Sequence, residues 1–348
     1  MLARFSIALL TGSTATTGFS FSGLYVYGDS LSDTGKIPAS APDYFNGRWS
    51  NGSVWVEYLS GKLGLPYNAA NNYAYAGTTT SYLAAEVAIT PTSTNLPAAL
   101  CAVWSGGNDF LNHLSEGVYD DAGWNNVITS AVSNITTAIG ALYAKGARNV
   151  LVCNLPDLGQ VPEVLNGYSS SYAAYVSTQV VTFNSALSNA LTLVTQAKPN
   201  LSLYRDDVHA RYALILAAPA SYGFTVSTIG ALENPALLDL SFTGPGQNYV
   251  FWDAIHPTTK THGLIANWAF DLLPSPPPWI GCSRSGATLK LFLQNLSPGL
   301  NYTVQSSSNL LNWTAYQAFT AVGTNQTIIT NLGPASRSFY RLKREPSP

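Results

Sequence analysis

Charged side chains are scarce in this sequence. Asp, Glu, Lys and Arg make up 10% of its 348 residues, whereas about a quarter is usual in soluble domains. The surface must therefore consist largely of Ser, Thr, Asn and Tyr, a composition more typical of secreted than of cytosolic proteins. The formal net charge is only −2 and no basic cluster occurs, so nucleic acid is not expected as a partner.

Long apolar runs are also missing. No run approaches the roughly 18 to 20 apolar residues that a membrane span requires, so no membrane span is expected. Residues 1–21 contain one Arg and then a short apolar stretch. This segment is interpreted either as a signal peptide or as an N-terminal tail before the first strand. Together with the composition, it favours a secreted or extracytoplasmic location.

Cysteine is rare as well. Three cysteines occur, at positions 101, 153 and 282, and no two have the spacing of a metal site. Neither a disulfide nor a bound metal or cofactor is therefore expected. Because Cys101 and Cys153 lie inside apolar runs, we expect both thiols to be buried and unreactive.

Apolar residues, in contrast, make up 46% of the chain, which is enough for a sizeable core. Short apolar runs of the kind found in buried parallel strands alternate with stretches of helical periodicity. This alternation predicts an α/β fold with a mainly parallel sheet and helices on both faces. Strands are expected at 24–28, 99–107, 149–155 and 201–207, and helices at 53–64, 125–147, about 170–196 and about 258–273.

The pattern changes near residue 274, which predicts a second domain. Residues 274–279, "PSPPPW", are typical of a stiff linker. Short alternating runs with turn residues between them then predict a small β-sandwich-like module at 280–345. The first domain would span 22–273. Binding of carbohydrate or a cell surface, help in export, and simple stabilisation all remain open as roles of the module.

The stretch "YVYGDSLSDTG", residues 25–35, places a serine directly after a buried strand. Ligand sites of parallel sheets form beyond the carboxyl ends of the strands, so Ser30 is a candidate nucleophile. A serine needs a base, and the chain has four histidines. His256 is the best candidate, because Asp253 precedes it by three residues and can orient its imidazole.

Two further segments offer hydrogen-bond donors for a developing oxyanion. Asn108 follows two glycines at the end of a predicted strand, and a side-chain amide there is a good donor. Gly77 lies in "NNYAYAGTTT", where a bare backbone N–H can approach a substrate closely. Each segment alone is also compatible with an ordinary turn.

Taken together, these segments resemble the GDSL family of lipases and esterases, also called SGNH hydrolases. The family's four blocks correspond to "GDSLSDTG" (28–35), "NYAYAGTTT" (72–80), "GGND" (106–109) and "DAIH" (253–256), in the family's order. The resemblance spans roughly residues 22–273. It implies a three-layer α/β/α sandwich of flavodoxin-like type for that part of the chain.

The resemblance also implies a role for each candidate residue. Ser30 would be the nucleophile, His256 the general base and then acid, and Asp253 the group that orients it. The oxyanion hole would consist of the Ser30 N–H, the Gly77 N–H and the Asn108 side chain. The second block departs from the family pattern, because it reads Ala-Gly at 76–77 where related members often read Gly-Gly.

The sequence therefore predicts a serine-dependent carboxylic ester hydrolase that acts through an acyl-enzyme on a small or polymeric ester. It shows no long hydrophobic lid, which favours an esterase over an interfacial lipase. Polysaccharide acetylesterase, phospholipase and acyltransferase activities at the same site stay open as alternatives. An alternative of another class is a surface-binding protein in which the module at 280–345 is the working part.

Overall fold

A computed structural model gives the structure of the chain. The expectations for residues 1–20 and for the linker residues 275–277 lie outside the described residues. The division of the chain into the predicted domains stays a prediction. The structure describes residues 21–36, 43–92, 96–117, 120–274, 278–285, 288–331 and 339–345.

A parallel sheet of four strands forms the centre of the larger domain. The strands are β1 (Leu24–Gly28), β2 (Leu100–Trp104), β3 (Asn149–Cys153) and β4 (Ser202–Asp206), and they lie in the order β1-β2-β3-β4. Outside β1, the N–H groups of Tyr73 and Tyr75 donate to the carbonyls of Val26 and Gly28 at 2.7 and 3.0 Å. Because the four strands run parallel, their carboxyl ends all meet at one edge of the sheet.

Eight helices of the described chain surround this sheet in two layers. Helix α1 packs against α8, whereas α4 packs against both α2 and α6. This arrangement confirms the predicted α/β fold class with helices on both faces. The helices are α1 (Trp55–Lys62), α2 (Leu83–Ala88), α3 (Gly107–Ser115), α4 (Asp121–Ala144), α5 (Pro162–Gly167), α6 (Ser170–Ala197), α7 (Val208–Ala217) and α8 (Thr259–Leu272).

The segment predicted as a strand at 99–107 is shorter in the structure. Strand β2 ends at Trp104 and α3 begins at Gly107, because Gly106, with a φ of +128°, turns the chain between them. Asn108 therefore lies in the first turn of a helix. The sequence did not predict this helix, because only two residues separate it from β2 and the two elements read as one run.

By length and composition alone, helix α4 is long and apolar enough to cross a membrane, with a mean hydropathy of 1.3 over its most apolar 18 residues. Its apolar residues face inward instead: Trp124, Ile128, Ile135 and Leu142 are all buried. The spacing of four, seven and seven residues places them on one face. We interpret α4 as a core helix on this packing.

The C-terminal module consists of two antiparallel sheets of three strands, in the orders β5-β6-β9 and β10-β7-β8. Alternate residues Leu289, Leu291 and Leu293 of β6 are buried, and Tyr302 and Val304 of β7 join them. This pattern confirms a small β module. Its strands are β5 (Trp279–Ser285), β6 (Thr288–Gln294), β7 (Asn301–Ser307), β8 (Thr314–Thr320), β9 (Gln326–Asn331) and β10 (Phe339–Arg344).

The aromatic residues Trp313 and Tyr340 of this module are only half-buried. The guanidinium of Arg341 lies 4.4 Å from the centre of the Trp313 ring. Tyr340 packs edge-on against Tyr316, which is exposed. The centre is filled by leucines, three of them from one face of β6, together with the aromatic ring of Tyr302.

The module contacts the larger domain far from the carboxyl edge of the sheet. Arg344 of β10 pairs with Asp271 in the last turn of α8, and its guanidinium lies 4.9 Å from the Phe270 ring centre. Helix α8 begins at Thr259, directly after the predicted catalytic histidine. At about 1.5 Å per residue, some 20 Å of helix separates the two ends.

Candidate active site

A tight turn at the end of β1 presents Ser30. Gly28 has a φ of +141°, and a Cβ there would lie 1.9 Å from the Trp104 carbonyl oxygen, so only glycine fits. The Leu31 N–H then donates to Asp29 Oδ1 at 3.1 Å. This local hydrogen bond turns the chain sharply and leaves Ser30 at the carboxyl edge of the sheet.

Ser30, His256 and Asp253 form a continuous line of hydrogen bonds. Ser30 Oγ lies 2.8 Å from His256 Nε2, and His256 Nδ1 lies 2.7 Å from Asp253 Oδ2. All three side chains are buried, with 5 to 8% of each residue exposed. A carboxylate on Nδ1 favours the tautomer with its proton there, which leaves Nε2 free to accept the hydroxyl proton of Ser30.

Asp253 is held ionised by its surroundings. Burial opposes its charge, but the nearby imidazole and several hydrogen bonds lower the pKa of Asp253 below its usual value. The N–H groups of Ile255 and His256 donate to Oδ1 at 2.9 and 2.7 Å. The Tyr44 hydroxyl donates to Oδ2 at 2.7 Å. A fixed negative charge therefore faces the imidazole.

Donors for an oxyanion lie beside this line. Asn108 Nδ2 donates to the Thr78 carbonyl at 2.9 Å, which orients the amide and leaves its second N–H available. Gly77 has a φ of +80° and only open space where a Cβ would lie. In the described part of the chain, the N–H groups of Ser30 and Gly77 have no acceptor.

Two aspartates, Asp33 and Asp109, connect the loops of the site by hydrogen bonds. Asp33 Oδ2 accepts from the Ala76 N–H at 2.9 Å, which connects the nucleophile turn to the Gly77 loop. Asp109 accepts from the N–H and hydroxyl of Thr80 at 2.9 and 2.7 Å. The Ala76 N–H is thus occupied, which supports the alignment of the functional glycine with Gly77.

Two further buried carboxyl groups lie behind the nucleophile. Burial raises the pKa of Asp29 to about 7, although the Leu31 N–H and the His256 charge oppose this. Burial likewise raises the pKa of Glu86 to about 8 against the donated Gly28 N–H, which lies 2.8 Å away. Both groups therefore carry a proton more readily than exposed carboxylates do.

We expect Glu86→Gln to remove part of the pH dependence of stability. Glu86 ionises near 4.5 when unfolded and near 8 when folded, so the unfolded chain binds fewer protons between these values. Stability must then fall as the pH rises through this window. Between pH 5 and 7.5, wild type should lose on the order of 2 kcal/mol more than Glu86→Gln. Urea unfolding at both pH values measures this difference, and parallel losses in the two proteins would contradict it.

Two spaces of different size flank Ser30 and His256. A mainly apolar, partly open cavity of about 50 Å³ lies next to Ser30 and is bordered by residues such as Trp104, Leu155 and Phe251. On the other side of His256, an open cleft of about 470 Å³ is bordered by Tyr44 and Trp49. The centre of the Trp49 ring lies 5.1 Å from the centre of the His256 imidazole, at the border of this cleft.

The structure brings together all five residues that the sequence analysis selected. Trp55 and Trp104 are buried, as expected. Cys101 and Cys153 are buried and free, and burial raises the pKa of Cys101 to about 12. Among the residues that the structure describes, no group of three His, Cys, Asp or Glu side chains is placed to hold a metal.

Several residues of the site had no sequence signal that could have identified them. Tyr44 and Glu86 lie 209 and 58 positions from the atoms to which they are hydrogen-bonded. No local pattern indicates such contacts, because they arise only when distant loops pack at the same edge of the sheet.

Comparisons with known proteins show the family of the chain. The family model described as GDSL-like Lipase/Acylhydrolase matches residues 24–269. A phosphatidylcholine-sterol acyltransferase from Aeromonas hydrophila is 26% identical, over 77% of this chain and 95% of its own. A GDSL esterase/lipase from Arabidopsis thaliana is 27% identical, over 71% and 81% of the two chains. The resemblance noted in the sequence is confirmed by the family model.

Among solved structures, an acetylxylan esterase from Geobacillus stearothermophilus is similar to this chain. The superposition has a TM-score of 0.42 with 14% sequence identity, and it covers 73% of this chain and 94% of the other.

Proposed function

We propose that this chain, which belongs to the GDSL-like lipase/acylhydrolase family and is therefore an ester hydrolase, works through an acyl-enzyme on Ser30. The observation that carries the proposal is the line of hydrogen bonds from Ser30 through His256 to Asp253, at 2.8 and 2.7 Å. A serine hydroxyl next to an oriented, buried imidazole is the arrangement that nucleophilic ester cleavage requires.

In the first half of the reaction, Ser30 Oγ attacks the ester carbonyl carbon while His256 Nε2 takes the hydroxyl proton. The negative charge of Asp253 stabilises the imidazolium that forms. The carbonyl oxygen becomes an oxyanion, which accepts from the N–H groups of Ser30 and Gly77 and from Asn108 Nδ2. His256 then gives its proton to the departing alcohol, and the ester C–O bond breaks.

In the second half, water takes the place of the alcohol. His256 Nε2 removes a proton from the water, and the hydroxide formed attacks the acyl carbon. The same donors hold the second oxyanion. Collapse of this intermediate breaks the bond to Ser30 Oγ, which recovers its proton from His256 and releases the acid.

The space next to Ser30 favours short acyl groups. A cavity must offer about 10 to 15 Å³ for each water molecule that it holds. Because a water molecule has one non-hydrogen atom, the cavity of about 50 Å³ has room for roughly four such atoms. Acetyl to butyryl chains fit that limit. The open cleft of about 470 Å³ leaves room for a bulky alcohol, which supports an esterase or a polysaccharide acetylesterase over a lipase for long chains.

We therefore expect kcat/KM for p-nitrophenyl esters to be highest between acetyl and butyryl and to fall at least about tenfold at octanoyl. Initial rates over the series from acetyl to palmitoyl measure this profile. An optimum at decanoyl or longer would contradict the assignment of the cavity to the acyl group. Release of acyl groups to an added alcohol rather than to water would instead favour the acyltransferase alternative.

Secretion and a surface role of the C-terminal module are part of the same proposal. The low content of charged residues supports secretion. Exposed apolar residues on the module, among them Leu311, Val322 and Ile329, support contact with a surface or carbohydrate. Since the module meets the far end of α8, it would hold the enzyme near its substrate and take no part in the reaction.

A further inference from the structure

We propose that Glu233 is a positioning residue for the catalytic base, acting through the backbone turn that carries Asp253 and His256. The inference rests on the proposed function, because it concerns the same base. Glu233 lies outside the four sequence blocks, in a long segment between α7 and α8. Two features of its place carry the proposal: the contact that it makes with the turn, and its charge beside Asp253.

The segment that bears Glu233 runs alongside the chain leading into the turn. The N–H groups of Ala231 and Leu232 donate to the carbonyls of Phe251 and Trp252 at 3.1 and 2.9 Å. Ala231 and Trp252 are fully buried in a small apolar cluster of their own. The pairing ends at Leu232, so the next residue, Glu233, lies beside the turn that carries Asp253 and His256.

At that point the Ala254 peptide is held on both sides. Its N–H lies near the Glu233 carboxylate, since Glu233 Oε2 and the Asp253 carbonyl carbon both lie within 2.5 Å of the position that a Cβ would take at Gly230. Its carbonyl accepts from the Glu163 N–H at 2.9 Å. The next two N–H groups of the turn, those of Ile255 and His256, both donate to Asp253 Oδ1. Asp253 thus binds two successive N–H groups of the turn, and the Glu233 carboxylate lies beside the N–H that precedes them.

Gly230 makes room for this contact. A Cβ at that position would lie 1.9 Å from Glu233 Oε2 and 2.5 Å from the carbonyl carbon of Asp253. The first atom could swing aside, but the second is backbone and fixed by the turn. Glycine at 230 therefore allows the carboxylate to lie against the backbone of the catalytic aspartate.

The charge of Glu233 then acts on the base. Burial, and after it the charges of Asp253 and Glu163, raise the pKa of Glu233, which places the carboxylates within electrostatic reach of one another. Other charges that face His256 are Asp29, from the nucleophile turn, and His262, from α8.

Those two groups contribute little fixed charge. Asp29 has a pKa of about 7 because of burial, and burial lowers the pKa of His262 to about 3. Asp253 touches the imidazole, with Glu233 behind it, and Glu163 borders the same cleft. When ionised, these carboxylates favour the imidazolium that forms in the transition state.

Two substitutions separate the effect of the contact between Glu233 and the Ala254 N–H from the effect of the Glu233 charge. Glu233→Gln keeps an oxygen that accepts the Ala254 N–H and removes the charge. We expect it to move the acid limb of kcat/KM to lower pH by about 0.5 unit, with kcat within about threefold of wild type. Glu233→Ala removes both contributions, and we expect kcat to fall by about tenfold with KM within about twofold. Glu116→Gln is the control, because it removes the same charge from an exposed position after α3.

The NMR titration of the His256 ring protons gives a second readout that needs no turnover. In the Ser30→Ala background, Glu233→Gln should lower the titration midpoint in the same direction as the acid limb. Unchanged midpoints in both the rate profile and the NMR titration would overturn the inference, as would a wild-type kcat in Glu233→Ala. If Glu233→Ala fails to fold, Glu233→Gln decides alone. A wild type that titrates as expected but cleaves no ester would contradict the proposed function and leave the positioning of His256 supported.

Discussion

Ser30→Ala should lose ester hydrolysis almost completely, with kcat about 10⁴-fold or more below wild type. The methyl group left behind cannot form an acyl-enzyme, and His256 keeps its orientation through Asp253. The oxyanion donors remain, so a small residual rate over water is expected. The loss is measured from rates with p-nitrophenyl acetate and p-nitrophenyl butyrate, at enzyme concentrations high enough to detect this residual rate.

The neighbouring serine provides a matched control. Ser32 Oγ accepts from Trp55 Nε1 at 3.0 Å and lies within the same turn, but it does not reach His256. Ser32→Ala should lower the melting temperature, because the buried indole N–H then lacks its acceptor, and should keep kcat within about tenfold. If Ser32→Ala abolished turnover while Ser30→Ala retained it, the assignment of the nucleophile would be wrong.

Asp253→Asn should lower kcat by about 10³- to 10⁴-fold while the protein stays folded. The isosteric amide keeps an oxygen for the N–H groups of Ile255 and His256, but its NH₂ group would face His256 Nδ1. The imidazole would then adopt the tautomer with its proton on Nε2, where the base must be free. The loss of charge also removes the main stabilisation of the imidazolium.

A second variant separates the effect of the Asp253 carboxylate from the effect of a residue that is hydrogen-bonded to it. Tyr44→Phe removes one hydrogen bond to Asp253 Oδ2 and leaves the carboxylate in place, so kcat should fall by no more than about tenfold. Steady-state kinetics of both variants from pH 5 to 9 measures the two effects. A loss in Tyr44→Phe as large as in Asp253→Asn, or a nearly unchanged kcat in Asp253→Asn, would contradict the proposed role of Asp253.

The sequence predicted the sheet and the central residues of the site because their signals are local. Strand β1 is a short apolar run that ends at a glycine, and Ser30 follows it within two residues. Asp253 and His256 are three residues apart, so one turn contains both. The turn after β1 lies at the carboxyl edge of the sheet, where ligand sites of such sheets form.

Contacts between distant segments could not be predicted in the same way. Glu233 and Tyr44 reach the Asp253 turn only after the loops around the sheet have packed. Helix α3 was missed because β2 and α3 are separated by two residues, and the conformation of Gly106 decides where one ends. In the C-terminal module Tyr302 is buried whereas Trp313 and Tyr340 are only half-buried, because hydrophobicity alone does not indicate which face of a strand is covered.

The most direct test of the central claim is labelling with a serine-directed fluorophosphonate, followed by mass spectrometry of the intact protein and its peptides. The expected result is one adduct per chain, located on Ser30, absent from Ser30→Ala and formed much more slowly in Asp253→Asn. A folded wild-type protein that carries its adduct on another residue, or none after long incubation, would contradict the claim that Ser30 is the activated nucleophile.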